Sequence, residues 1–467
     1  MADENTDLMA HLMRRAGFGA AREELETRVA KGYEATVEEL LCPNNREPNK
    51  RYEILRYHPW AWSPGTPRGM GAAQWFYAMI STARPLDEKI ALFWHSVFAV
   101  GVSKVDHYGE LTDMISTFRT KGMGNYRELL LEMARNPAMI YWLDNHENHA
   151  DSVNENWGRE LLELFSMGVD NYTEADVREC ARAFTGWTIA HHLPRFPLTR
   201  FQWEFEYREF DHDDGEKTFL GETGRLNGED IIRIICEQPA TSRFIARHLY
   251  SFFVADEPQV PAWSVTPPNN PKAVQAIADV LIESDYHIGT ALKFILTSDF
   301  FKQAVFSKVK NPTEVVIGTL RLVGNTERPS PETMGWAMDI TNMGQDLLNP
   351  PSVEGWHSGI EWINSGTLMK RTNFTAELIS DQSRPGVADL TNRVLSAGNS
   401  PEALVDACLD VMGPLEIDSD TRLELIEHAK SLEDSGQSKN GAQRENGISN
   451  ISEILQLIVS LREFQFA

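Results

Sequence analysis

Cysteine is scarce in this chain of 467 residues, and its placement excludes several kinds of site. The sequence holds four cysteines, which lie far apart and form no Cys-x-x-Cys pair. Structural zinc bound by cysteine is therefore excluded, and a disulfide framework is not expected. We interpret the cysteines as small core residues.

Positive charge is also in short supply. The chain has 44 Lys and Arg against 68 Asp and Glu, which gives a formal net charge of −24 at pH 7. An anionic chain repels phosphate backbones, so neither nucleic acid nor an anionic membrane surface is an expected partner.

Long apolar runs are missing as well. The N-terminus reads MADENTDLMAHLMRRAGFG and has no charged region leading into an apolar stretch, so the sequence predicts neither a signal peptide nor a transmembrane span. The expected location is cytoplasmic by default, or exported if a leader has been removed. The sequence also has no P-loop, no Gly-x-Gly-x-x-Gly after a strand and no Gly-x-Ser-x-Gly, so nucleotide and serine-hydrolase signatures are absent.

What the sequence does have is helical periodicity over most of its length. We predict a mostly α fold, a multi-helical single body with a small antiparallel β-hairpin insertion. The helical core is expected over residues 1–400, with the hairpin near 200–220. Helices of residues 401–467 are expected to pack on that core, with a mobile loop near 432–450.

The β prediction depends on the run FQWEFEYREF, in which aromatic and polar residues alternate from Phe201 to Phe210. Such alternation is typical of a half-buried strand. Asp-Gly turn chemistry lies between Phe210 and Thr218, so a hairpin is predicted across it.

The most informative stretch is 154–187, which reads NENWGRELLELFSMGVDNYTEADVRECARAFTGW. Its first half predicts an amphipathic helix that ends at Gly168 as a left-handed cap. Thr173, with Asp176 at the third position, predicts the capped start of a second helix. The polar face of the first helix places one amide, one guanidinium and two carboxylates on the same side. These residues are Asn156, Arg159, Glu160 and Glu163.

This stretch resembles the signature of the bacterial family called domain of unknown function 1800 (DUF1800), NEN..REL.ELF..G...YTE.DV.E.AR..TGW. Other segments agree in the family's order over about residues 8–375, among them HLMRRAGFGA, PLDEKIALFWHSVFAV and GQDLLNPPSVEGW. The resemblance implies a family and supplies no reaction. The family usually has FWHNHF, whereas Ser96 and Val97 follow His95 here, so a role for the side chain after His95 does not carry over.

A helical body with twelve tryptophans and convergent carboxylates favours a carbohydrate-active enzyme, because sugar faces stack on indoles. Glycosidic cleavage needs one protonated and one ionised carboxyl group, roughly 5 to 9.5 Å apart. Either Glu155 or Glu160 is the predicted acid, and either Glu163 or Asp211 the base or nucleophile. Arg159 beside one carboxylate would keep it ionised. The predicted catalytic residues are Glu155, Glu160, Glu163, His95 and Asp211. The predicted substrate-binding residues are Asn156, Arg159, Trp187, Lys217 and Trp356.

Other interpretations stay open from sequence. A polysaccharide lyase would use His95 or a tyrosine as base, with Arg159 or Lys217 neutralising a uronate. A metal-dependent hydrolase or oxidase would use His95 with Glu160, Glu163 or Asp211. No cofactor is predicted, because the histidines near residue 146 lack the His-x-x-x-His spacing of a helical metal site. The polar row is alternatively the buried network of a non-catalytic scaffold, and His95 a core histidine.

Overall fold

The computed structural model describes residues 2–42, 71–190, 202–324, 328–398, 400–436 and 443–467. Its architecture is mostly α with two small antiparallel sheets, as the periodicity predicts. The helices before the first strand are α1 (Ala2–Arg15), α2 (Arg22–Lys31), α3 (Tyr33–Leu41), α4 (Ala72–Ser81), α5 (Pro85–Val97), α6 (Val102–Val105), α7 (Tyr108–Lys121), α8 (Tyr126–Arg135), α9 (Pro137–Trp142), α10 (Asn156–Glu160) and α11 (Glu174–Ala183).

The remaining helices follow the β module. They are α12 (Gly228–Glu237), α13 (Pro239–Phe253), α14 (Pro271–Glu283), α15 (Ile288–Thr297), α16 (Asp299–Lys302), α17 (Pro312–Val323), α18 (Thr333–Asn342), α19 (Ser365–Ser380), α20 (Pro385–Ala397), α21 (Pro401–Val411), α22 (Ser419–Gly436) and α23 (Gln443–Ser460). Among the described residues, no helix is both long enough and apolar enough to cross a membrane.

The β module consists of two short strand pairs. Strand β1 (Trp187–Ile189) pairs with β2 (Phe205–Tyr207), and β3 (Lys217–Phe219) pairs with β4 (Glu222–Gly224). The β3–β4 pair is a tight hairpin whose two turn residues, at positions 220 and 221, both have positive φ, as primed two-residue turns require.

The sequence predicts a hairpin across Asp214 and Gly215, which would pair β2 with β3. That pairing is wrong, because β2 pairs with β1 and β3 pairs with β4. Of the predicted strand only Phe205–Tyr207 is extended, a 3₁₀ turn follows at 209–211, and Phe201 lies outside the described residues. Alternation identified a strand but not its partner, which is supplied by Trp187–Ile189 at the end of the TGW sequence.

Buried apolar side chains form two clusters. The larger extends from Met9 on α1 to Val387 on α20, and the smaller joins Ile379 to residues of α20–α23 and to Phe464. Helix α19 lies between them, because it packs against both α17 and α23. Of the mobile loop predicted near 432–450, residues 437–442 lie outside the described residues, and the two ends belong to helices, since α22 continues to Gly436 and α23 begins at Gln443.

Local sequence signals fix several helix ends as predicted. Thr173 and Asp176 form a reciprocal capping box at the start of α11. Gly168 has φ of 78°, the left-handed conformation expected of a helix-ending glycine. Asn311 and Glu314 form a similar capping box at α17, and this end of α17 lies beside the site described next.

Candidate functional site

The signature helix is not uniformly α-helical. Helix α10 continues as a π-helical stretch from Leu161 to Ser166, where the sequence predicts a regular helix. The Ser166 hydroxyl donates a hydrogen bond to the Leu161 carbonyl at 2.6 Å, and the amide groups of Met167 and Gly168 both donate to Leu162. Such π-helical turns are rare and occur frequently at functional sites.

Gly158 allows α10 to lie directly against α11. A Cβ atom at this position would be 3.0 Å from the Val177 carbonyl oxygen and 3.1 Å from the Ala181 nitrogen. Trp157, Leu161 and Leu162 are buried on the core side. The polar residues of the signature are thus fixed by a close helix contact and not by a mobile loop.

Arg159 pairs with a carboxylate outside its own row. Its guanidinium binds both carboxylate oxygens of Glu174, at 2.8 and 2.7 Å, and reaches Glu155 at 3.5 Å. The side-chain amide of Asn156 donates a hydrogen bond to the Leu143 carbonyl at 3.1 Å. Asn156 and Arg159, two of the predicted substrate-binding residues, therefore hold α10 to its neighbours in this structure.

Glu160 is the unusual carboxyl group of the row. It is half-buried, and its carboxylate has no hydrogen bond or salt bridge within the described parts of the chain. Burial, and then the charges of Glu163 and Glu354, raise its pKa to about 7, and the opposing effect of Arg159 is smaller. The neighbouring Glu163 accepts a 3.4 Å hydrogen bond from the Tyr172 hydroxyl.

Glu354 connects this row to a cavity of about 230 Å³. The cavity lies between α5, α13 and the loop that precedes α19. Its aromatic and polar wall residues include His248, Gln259, Trp263, Glu354, Trp356 and Trp362. His248 Nε2 and Trp356 Nε1 are buried and make no hydrogen bond to the described residues. Buried polar groups normally have partners, so these two nitrogens are unsatisfied polar atoms of residues that line the cavity.

A second cavity, of about 430 Å³, adjoins the first. Glu163, Arg243, Phe244 and Gln275 are part of its wall, whereas Leu164, Val260 and Trp263 line both cavities. The Trp263 indole is held in place, because it donates to the Pro258 carbonyl at 2.7 Å and the Arg247 guanidinium lies 4.5 Å from its ring centre. It is therefore a fixed part of the wall that the two cavities share.

The family model described as protein of unknown function (DUF1800) matches residues 11–466. The chain belongs to the DUF1800 family. No curated protein and no solved structure matches it.

In this DUF1800 protein His95 lies behind the first cavity instead of in it. The ring is fully buried, its edge faces Trp75 and Trp356 at 5.5 and 5.1 Å, and neither nitrogen has a partner among the described residues. Burial lowers its pKa to about 3. The next two residues, Ser96 and Val97, do line the cavity.

The β module places its predicted site residues elsewhere. Asp211 pairs with His149 at 2.6 Å, and the buried Lys217 donates to the Gly215 carbonyl at 3.2 Å. Trp187 is buried and donates to Asn227 at 2.9 Å, so its ring offers no open face for a sugar. The module packs on α11, where Arg182 binds Asp213 at 2.6 Å.

The structure thus places the predicted residues Trp356 and Glu163 in the walls of the first and second cavities, with Glu160 near Glu163 but in neither wall, and it adds residues that the sequence did not predict. Glu354 and Trp356 belong to the same NPPSVEGW segment, so that motif was the available signal for Glu354. Trp263 lies in the loop between α13 and α14, and no local pattern distinguishes it. No group of three or more His, Cys, Asp or Glu residues within the described ranges is arranged to hold a metal ion.

Proposed function

We propose that this DUF1800 protein hydrolyses glycosidic bonds of an oligo- or polysaccharide, with Glu160 as the proton donor. The supporting observation is the pKa of Glu160, raised to about 7 beside two further carboxyl groups. A general acid must hold its proton near neutral pH, whereas its partner must be ionised.

In the proposed reaction the bond between the anomeric carbon and the bridging oxygen breaks. Glu160 gives its proton to that oxygen, and Glu163 or Glu354 removes a proton from the attacking water, whose hydroxyl joins the anomeric carbon. The base then returns its proton to solvent and Glu160 is reprotonated, so the net reaction consumes one water.

The walls of the first cavity support a sugar as substrate. The partly exposed Trp263 supplies aromatic surface, to which the largely buried Trp356 and Trp362 add only their exposed edges, 9% and 8% of each residue. Gln259 and Glu354 supply groups that hydrogen-bond to hydroxyls. Ligand sites of this kind combine a largely apolar wall with a few placed polar groups.

The test is reducing-end release from a panel of cellulose, xylan, laminarin, chitin and uronate polymers. Glu160→Gln should lower the rate by about 10² to 10⁴, the usual contribution of a general acid. The matched control is Glu147→Gln, because that side chain is 68% exposed and lies outside both cavities.

The pH profile gives a second readout. Activity should fall as the pH rises through about 7, where Glu160 loses its proton. Full activity of Glu160→Gln on a cleaved polymer would contradict the assignment. Release of an unsaturated uronate, detected by ultraviolet absorbance, would indicate a lyase instead.

A further inference from the structure

The two cavities share part of their walls, and one candidate base lines each of them. Leu164, Val260 and Trp263 line both cavities, Glu163 lines the second and Glu354 the first. Glu160 lines neither cavity, but it lies close enough to both carboxylates for their charges to add to the effect of burial in raising its pKa. The two candidate bases therefore face different cavities, and the candidate acid lies near both of them.

We propose that a single polysaccharide chain occupies both cavities and is cut internally at the junction. This inference rests on the proposed hydrolase function and specifies its substrate as a polymer bound on both sides of the cut. An enzyme that trims chain ends needs binding space on one side, whereas this site has a cavity on each side.

Trp263 is the residue on which a chain would cross from one cavity to the other. Its indole lines both, and the Arg247 guanidinium and the hydrogen bond to Pro258 prevent it from turning. A fixed aromatic ring at the junction suits a sugar ring on the bound chain, because little conformational entropy is lost on binding.

The second cavity has polar groups of its own for the other part of the chain. Arg243 and Gln275 line it and are exposed, and Arg243 makes no hydrogen bond or ion pair within the described ranges. Both side chains can donate hydrogen bonds to sugar hydroxyls.

The binding test uses the Glu160→Gln variant with di- and hexasaccharides of the cello, xylo, laminari and chito series, measured by calorimetry. A hexasaccharide should bind at least about tenfold more tightly than its disaccharide, because only the longer chain reaches both cavities. Adding Gln275→Trp, which fills the second cavity, should remove this gain. Lys272→Trp on the same helix α14 is the matched control, because Lys272 is exposed and lines neither cavity.

The cleavage test follows products from the polymer that the unmodified protein cuts. Internal cleavage lowers solution viscosity well before many reducing ends appear, and Gln275→Trp should slow it by about tenfold. Equal affinity for the two chain lengths, or release of only mono- or disaccharides from the outset, would overturn the two-cavity proposal while leaving hydrolysis intact. Length-dependent binding without any cleavage would support the two-cavity cleft and refute the hydrolase.

Discussion

Glu354 lies close enough to Glu160 for its negative charge to raise the pKa of the Glu160 carboxyl group, although the two come from distant parts of the chain. Glu160 ends α10, whereas Glu354 is in the loop between α18 and α19. Arg159, directly beside Glu160 in sequence, is instead held by both oxygens of Glu174. Burial is the largest cause of the raised pKa of Glu160, about 7, and the charges of Glu163 and Glu354 add to it.

Glu160 should make the folded protein less stable as the pH rises. Its folded-state pKa is about 7 against an ordinary 4.5, so between these values the unfolded chain releases a proton that the folded state keeps. The stabilisation that Glu160 provides is fully present below about pH 4.5 and is lost as the pH rises towards 7. The free energy of unfolding of Glu160→Gln minus that of the wild type should therefore be about 1 kcal/mol larger at pH 8 than at pH 4. This value is discounted for solvent screening.

Urea denaturation of both proteins at several pH values checks this prediction. Glu147→Gln serves as the control, because it makes the same chemical change at an exposed side chain. A stability difference for Glu160→Gln that does not change with pH would show that Glu160 ionises normally.

His95 should have the opposite pH dependence. Burial lowers its folded-state pKa to about 3 from 6.5, so the unfolded chain takes up a proton as the pH falls through that range while the folded state does not. His95→Leu should therefore be close to wild type at pH 7 and gain about 2 kcal/mol relative to it at pH 4.

Thermal or urea unfolding at the two pH values measures the effect of His95→Leu. The control is His428→Leu, which replaces a partly exposed ring on α22 that contacts Glu453 at 2.9 Å. If His95→Leu gained nothing in acid, the ring would have to accept a proton in the folded protein.

The buried pair of Lys89 and Glu314 should be important for joining α5 to α17. Both side chains are almost fully buried and form an ion pair. Burial lowers the pKa of Lys89 to about 8. Burial alone would raise the pKa of Glu314, but the nearby cations have the larger effect and lower the pKa of Glu314 to about 2. Glu314→Gln can keep the capping box with Asn311 while leaving Lys89 without its counter-charge, and should cost about 3 kcal/mol.

The comparison that isolates the charge is the double variant Lys89→Met/Glu314→Gln. The double variant removes the uncompensated charge of Lys89 but not those of Lys308 and Arg15, which also act on Glu314, so only part of the lost stability should return in urea titrations. A double variant no more stable than Glu314→Gln alone would argue that the pair contributes through packing.

Gly158 should be intolerant of even one methyl group. Alanine would place its Cβ 3.0 Å from a backbone oxygen of α11, so the two helices must move apart, at a cost of about 1 to 3 kcal/mol. Gly335→Ala on α18 is the control, since a Cβ there meets no atom within 4 Å and should stabilise by about 0.5 to 1 kcal/mol. Equal effects of the two substitutions on the melting temperature would refute the close contact.

The sequence by itself determined the helical class and several helix ends. Periodicity, the Thr173 capping box and the Gly168 cap depend on neighbours a few residues away, so they can be recognised without tertiary structure. The same local signals identified the signature helix and the carboxylates Glu160 and Glu163. Its continuation as a π-helix has no comparable pattern.

Tertiary structure alone decided which charges meet. Side-chain spacing put Arg159 and Glu160 on one face, but the position of α11 directs Arg159 to Glu174, and the loop before α19 brings Glu354 to Glu160. It also buried His95 behind Trp356 and paired β2 with β1 instead of β3. These outcomes depend on long-range packing, because a residue's pKa and access to solvent follow from atoms that are distant in the chain.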